Sequence, residues 1–375
     1  MLNLGGPESA KDVSPFLERL FADSTVIRIP FGLGKYIGKI RGPAKVQKQY
    51  DEIGGGSPIR KWTETQGKLM MENIEKNHPE VIQKYGPFHV VPGFRYSEPL
   101  CDETLKNLIQ NQKENGLENI VLFSQYPQWS CSTVGNSVRE ALKVIEKLNF
   151  PLENVHIIDR WYRNPKYLEA LTNILFEDIK KNFSSEELKE SIILFSAHSL
   201  PVDFIQQGDP YSLEIGTTAN LIMDKLVKKL QEENLIKNND IPFRVCWQSK
   251  VGFNSWLKPN TEEALEFYKS QFKNVILSPL GFVQDHLETL YELDLEYIKS
   301  NEKNYKKIIR ARSLNDHPEF IEALEQLLVD SLTNKYNLQS YPTKNFQIRC
   351  PECFCKNDCA HLTNYFNKTQ KQEQL

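Results

Sequence analysis

The segment Val275-Ile-Leu-Ser-Pro-Leu-Gly-Phe-Val-Gln-Asp-His-Leu-Glu-Thr-Leu-Tyr-Glu-Leu-Asp-Leu-Glu-Tyr297 decides how this chain is read. Its first part, Val275 to Leu280, is an unbroken apolar run ending in Pro279 and Gly281, the pattern of a strand buried on both faces. After it, Glu288, Glu292 and Glu296 recur every four residues. On a helix of about 3.6 residues per turn those carboxylates line one face. Leu287, Leu290 and Leu293 recur on a different face, the one a core would take. Acids at such spacing are most often a solvated helix face. Here Asp285-His286-Leu287-Glu288 stands directly against the strand end, where α/β folds place their sites, so the row reads as a path for a divalent cation.

The same kind of apolar run recurs along the chain: Val90 with Gly93-Phe94, Ile120 to Ser124, Val155 to Ile158, Ile192 to Ser196, and Arg244 to Trp247. Between them lie amphipathic stretches such as Leu105–Glu114, Pro165–Lys181 and Ser212–Glu233. Strand and helix in alternation predict an α/β protein built from parallel sheets. Ile120-Val-Leu-Phe-Ser-Gln resembles Ile192-Ile-Leu-Phe-Ser-Ala, which suggests an internal duplication. The expectation is two similar doubly wound, Rossmann-like domains at residues 1–140 and 141–330, with a C-terminal extension at 331–375. A first strand is expected at Leu2-Asn-Leu, immediately before the turn Gly5-Gly6-Pro7.

Composition removes several classes of function. With 375 residues, 25% of them charged and a formal net charge of -3, the chain has no polyanion-binding signature, so no nucleic-acid partner is expected. No apolar run approaches the roughly 18 residues of a spanning helix. There is no basic, Ser-rich leader, so any targeting peptide is expected to have been removed or to lie upstream of a late start.

Four features carry chemistry. Phe195-Ser-Ala-His-Ser-Leu-Pro201 closes an apolar strand with a histidine. Alone, His198 reads as a satisfied core histidine. With His286 and Glu288 at a second strand end, it reads as a proton acceptor for a nitrogen heterocycle. Gly54-Gly-Gly-Ser57 lacks the Lys-Ser/Thr and spacing of a phosphate loop and reads as a flexible loop letting backbone approach a substrate. Residues 25–37 are too broken for a long helix and too apolar for a free loop. Flanked by Arg28, Lys35 and Lys39, they suit either contact with a bilayer surface or packing in a dimer. Cys350, Cys353, Cys355 and Cys359 fall within ten residues, a density that argues for metal or cluster ligation, with a four-cysteine zinc site as the generic form. Cys101 and Cys246 read as buried thiols.

These segments together resemble the ferrochelatase family. The likeness is carried by Met1-Leu-Asn-Leu-Gly-Gly-Pro7, Gln49-Tyr50 with Ile53 to Ile59, Gly93-Phe-Arg-Tyr96 and Gln125 to Thr133. It continues through Phe195 to Pro201, Trp247-Gln-Ser-Lys-Val-Gly252 and Asp285 to Asp294. It runs to about residue 330 and more weakly through the tail. The resemblance implies a lyase that inserts ferrous iron into protoporphyrin IX to form protohaem, the last step of haem biosynthesis. A chelatase for another metal or tetrapyrrole, or a non-catalytic porphyrin or haem binder, is the alternative.

The resemblance implies His198 and Glu288 as catalytic residues, with His286, Glu292 and Glu296 on one iron path and Arg95 with Tyr96 on the opposite porphyrin face. Tyr50, Trp256, Phe21 and Phe282 would wall the cavity, and Arg41 and Ser57 would meet the propionates. Some relatives carry Met where this chain has Leu4, and two adjacent arginines where it has Ile40-Arg41, so a thioether handoff and one propionate contact are expected to be absent. It further implies a 2Fe–2S cluster on Cys131, Cys350 and Cys353. The third tail ligand would fall at Asp358, so Cys359 is preferred to Cys355. Finally, it implies a homodimer attached peripherally to the matrix face of the mitochondrial inner membrane.

Overall fold

An unalternating run of Val, Ile, Leu and Phe is stable only when both faces of its strand are covered, and each such run becomes a strand in a parallel sheet. The structure, a computed structural model, describes residues 1–23, 26, 43–111, 116–238, 241–250 and 255–333. Arg41, the apolar lip apart from Val26, and all the tail cysteines lie outside the described residues.

The described residues form two compact units. The first comprises Met1–Trp161, Gln207–Asp209 and the described residues from Leu324; the second comprises Tyr162–Gln206 and Pro210–Ala323. In the first, β1 (Leu2–Asn3) pairs with β2 (Gly93–Phe94), and β3 (Ile120–Phe123) pairs with β4 (Val155–Ile158), all parallel. A single bridge from Leu2 to Ser124 joins the pairs, and the Gln125 N–H donates to the Leu2 carbonyl at 2.9 Å. In the second, β5 (Ser191–His198), β6 (Phe243–Gln248), β7 (Asn274–Pro279) and β8 (Lys307–Arg310) form a parallel sheet in the order β6-β5-β7-β8. Both units therefore place their second strand first, then their first, third and fourth.

The duplication expected from sequence is present in this shared order, but not between the segments that suggested it. β3 is the third strand of its unit, whereas β5 is the first of its own. The likeness of Ile120–Gln125 to Ile192–Ala197 reflects the common demand of a strand buried on both faces. The edge strand β8 went unread because Lys307-Ile-Ile-Arg310 is short and charged at both ends, and all four residues are half-buried.

Residue 140 falls inside the helix Asn136–Lys147, whose Val138, Leu142 and Ile145 are fully buried against Leu122 and Val155. That packing carries the first unit on to Trp161. The last helix among the described residues, Pro318–Leu332, starts in the second unit and ends in the first, where the Tyr85 hydroxyl donates to the Leu332 carbonyl at 2.7 Å. Local signals start the connecting helices: before Pro165–Asn182, the Asn164 side chain accepts the Tyr167 N–H and Pro165 occupies the first helical position. Cys101 and Cys246 are buried, as their surroundings in sequence imply.

The core of the second sheet is closed to solvent. Leu194, Ile276 and Leu277 expose none of their surface. Leu277→Ala should cost about 2–5 kcal/mol, seen as a lower urea midpoint with an unchanged slope. A loss below about 1 kcal/mol would mean that the site collapses around the smaller side chain.

Candidate active site

Parallel register brings three strand ends to one edge. His198 closes β5 opposite Gln248, the last residue of β6, and Ser196 stands opposite Pro279, the last residue of β7. The Asp285–Glu288 segment follows β7, so it emerges on the edge that carries His198. The two histidines are close enough for His198 to depress the pKa of His286.

His198 is half-buried, and its Nδ1 lies 2.7 Å from the Ser199 carbonyl oxygen. A carbonyl can only accept, so Nδ1 carries the proton and the lone pair of the neutral ring is on Nε2. His286 is buried, and burial lowers its pKa although Glu288 and Asp285 pull it upward. Its Nδ1 is 3.5 Å from Glu288 Oε2 and has no hydrogen-bond partner among the described residues. The Phe282 ring meets it edge-on at 4.4 Å. A neutral, unpaired imidazole nitrogen beside a carboxylate is a donor set suited to a borderline divalent cation.

The acidic segment Glu288–Ile298 is wound as a π-helix, wider than the α-helix its spacing predicts. The inward face consequently differs from the one expected. Leu293 and Thr289 are buried, Leu287 and Leu290 are half-buried, and Glu296 is exposed. Glu292 keeps some surface, but its carboxyl group is enclosed. Burial first, then the neighbouring Glu288 charge, push its pKa up to about 8. Oε2 of Glu292 accepts from Gln248 Nε2 at 3.0 Å and from the Ser249 hydroxyl at 2.5 Å.

Asp285 shows the opposite balance. Burial alone would raise its pKa, but the Arg310 charge and hydrogen bonds from Ser313, Asn315 and Thr289 hold it below the usual range. Arg310 also clamps Asp294 through two bonds of 2.7 and 2.9 Å, bracing the loop and the wide helix together.

Trp256 sits beside the chain leaving His198. It bridges to Pro201, Val202 donates to the Ser255 carbonyl at 2.8 Å, and the Trp256 indole N–H is buried without a partner among the described residues.

The first-unit candidates form separate constellations. Arg95 donates to Asp23 at 3.0 Å and to Asn136 at 3.1 Å. The Tyr96 hydroxyl donates to Asp23 at 2.9 Å and accepts from Asn136 at 2.8 Å. Burial and then the Asp23 charge raise the Tyr96 phenol well above its usual pKa. Tyr50 is buried, and its carbonyl accepts the Gly55 N–H at 2.8 Å. Ser57 is buried against Gly6, and Gly56 is required because a Cβ there would stand 2.0 Å from the Glu8 carbonyl oxygen. Cys131 is buried, with its N–H donated to Asp209 at 2.7 Å. No group of three metal-ligating side chains occurs among the described residues.

Sequence reasoning missed Asp23, Asn136, Asp209, Gln248 and Ser249 as partners. Only Gln248 and Ser249 carried a signal, their place at the end of an apolar strand.

A family model for ferrochelatase matches residues 1–332. The chain belongs to the ferrochelatase family. The mitochondrial ferrochelatase of Bos taurus is 38% identical over 376 residues, covering 99% of this chain and 84% of that protein. That of Drosophila melanogaster is 39% identical over 359 residues, covering 94% and 87%. Among solved structures, SirB from Bacillus subtilis with Fe3+ aligns with a TM-score of 0.46 and 13% identity, over 74% of this chain and 92% of that one.

The enclosed Glu292 of this ferrochelatase-family site has a thermodynamic signature. The native state holds its proton to about pH 8, whereas an unfolded glutamate releases it near pH 4.3, as ordinary carboxyls do. The native state thus binds more protons between those values, and stability falls as pH rises through them. Glu292→Gln removes that loss, so urea titrations should show the variant gaining on the parent between about pH 5 and about pH 8. An equal difference at both pH values would mean that Glu292 ionises normally.

Proposed function

We propose that this protein is a protoporphyrin ferrochelatase, a lyase whose substrates are ferrous iron and protoporphyrin IX and whose product is protohaem. The observation that carries the reading is the Nε2 of His198, its lone pair set by the Nδ1 bond to Ser199, at the strand edge shared with His286 and Glu288. Insertion exchanges one divalent cation for two pyrrole N–H protons. Nε2 accepts the first because the tautomer is already set by Ser199. Glu288 supplies negative charge toward incoming iron and, with His286, a path for the second proton. Glu292 and Glu296 extend that path along the helix.

The walls are assigned to Tyr50, Trp256, Phe21 and Phe282, which would hold the macrocycle bent so that its lone pairs point at the metal. Ser57 and Arg41 would receive the propionates. Arg95 and Tyr96 serve as supports for the other face, since both are engaged by Asp23 and Asn136.

The reading extends to a resident 2Fe–2S cluster. Cys131 offers a buried sulfur, and soft thiolate donors are what such a cluster takes. Cys350, Cys353 and Cys359, with Cys355 as the spare, would complete the set. Bound there, the cluster would pin the tail to the first unit, since insertion itself moves no electrons. We place the protein in the mitochondrion as a homodimer on the matrix face of the inner membrane, attached through residues 25–37. No helix among the described residues is long and apolar enough to cross a membrane.

Under anaerobic conditions the purified protein should insert ferrous iron into protoporphyrin with steady turnover, and stoichiometric porphyrin binding without turnover would overturn the reading. His198→Ala should lower kcat at least about 100-fold while porphyrin binding persists. Near-parent turnover would remove His198 from the chemistry. Cys131→Ser should bleach the visible absorption and the EPR signal of the reduced protein, whereas Cys355→Ser should leave both. A colourless protein with one zinc, indifferent to Cys131, would assign the tail cysteines to a site of their own.

A further inference from the structure

The wide winding of the acidic helix has a holder outside the helix. Gln248 is almost fully buried, and its side-chain bonds are directed. Its Oε1 accepts from the Ser196 hydroxyl at 2.7 Å, which turns the NH2 group toward the helix. That group donates to the Glu288 carbonyl at 2.8 Å and to Glu292 Oε2 at 3.0 Å. A donor seated on the Glu288 carbonyl draws it outward and competes with the N–H four residues on, which would close an α-turn. Ser249 adds a second donor to the same Glu292 oxygen. It does so from φ 65°, a left-handed conformation that non-glycine residues rarely adopt. Glycine or asparagine would occupy that backbone more easily.

We infer that Gln248 and Ser249 are positioning residues of the reaction: together they clamp the first turn of the helix Glu288–Ile298 in its wide winding and hold Glu292 turned toward β6. The clamp leaves the remaining Glu292 oxygen, Oε1, as the one available to the path that begins at Glu288. It rests on the reading of the site as an iron-insertion site. It deepens that reading by assigning the helix geometry to β6 rather than to the helix's own sequence.

The experiment uses the full chain with three variants at Ser249. Ser249→Ala and Ser249→Gly both remove the donor, and glycine also relieves the backbone. Ser249→Asn tolerates the left-handed conformation and restores an N–H donor. Loss of a hydrogen bond to a carboxyl group should lower kcat about tenfold in the alanine and glycine variants, with porphyrin KM unchanged and kcat recovered in large part by asparagine. Hydrogen exchange of the backbone amides in 288–298 should accelerate in the same two variants.

A glycine variant with parent kcat and parent exchange would overturn the clamp, because Ser249 would then matter only as backbone. An asparagine variant as impaired as alanine would overturn it equally. Loss of activity in His198→Ala alongside an unimpaired Ser249→Gly would sink the clamp and leave the site's reading standing. The exchange measurement does not depend on turnover, so it decides the clamp even where parent activity in His198→Ala overturns that reading.

Discussion

The parallel register of β5 with its two neighbours is the constraint on which the second unit depends. A parallel strand must be followed by a crossover, so the C-terminal ends of β5, β6 and β7 share one edge. That edge joins three segments far apart in sequence: His198, Gln248 with Ser249, and the loop into the acidic helix. A slip of one residue in β5 would turn His198 to the other face and separate it from Gln248. The buried core of Leu194, Ile276 and Leu277 opposes such a slip, because it would break their packing against the layers that cover both faces.

Once gathered, the ionisable groups take different states from their surroundings. Asp285 and Glu292 are both enclosed carboxyls on one segment, yet the first is held ionised and the second neutral. The difference is a cation. Arg310 and three hydrogen-bond donors compensate Asp285, whereas Glu292 has two neutral donors and the adjacent Glu288 charge. Burial lowers the pKa of His286 beside them, and the Ser199 carbonyl sets the tautomer of His198. Such separation of protonation states suits a site that must accept protons while admitting a divalent cation.

The sequence showed the described strands other than β8, the parallel sheets and the edge residues His198, His286 and Glu288. Each apolar run has one stable environment, and residues next to a strand end go wherever that end goes. Family membership was likewise legible, in motifs such as Gln125 to Thr133 and Trp247 to Gly252.

The winding of the acidic helix was not legible. Spacing of four fits an α-helix, and nothing within Glu288–Ile298 announces the wider turn, since the Gln248 amide seated on its first carbonyl arrives from another strand. The first-unit boundary was hidden for a similar reason: the helix Asn136–Lys147 belongs where Leu122 and Val155 cover its apolar stripe, and the stripe itself does not name its partner. Local sequence by itself determined which segments must be buried and which chemistry stands at their ends. Tertiary structure alone decided which polar groups meet and in what protonation state, because hydrogen-bond partners and burial are set by neighbours distant along the chain.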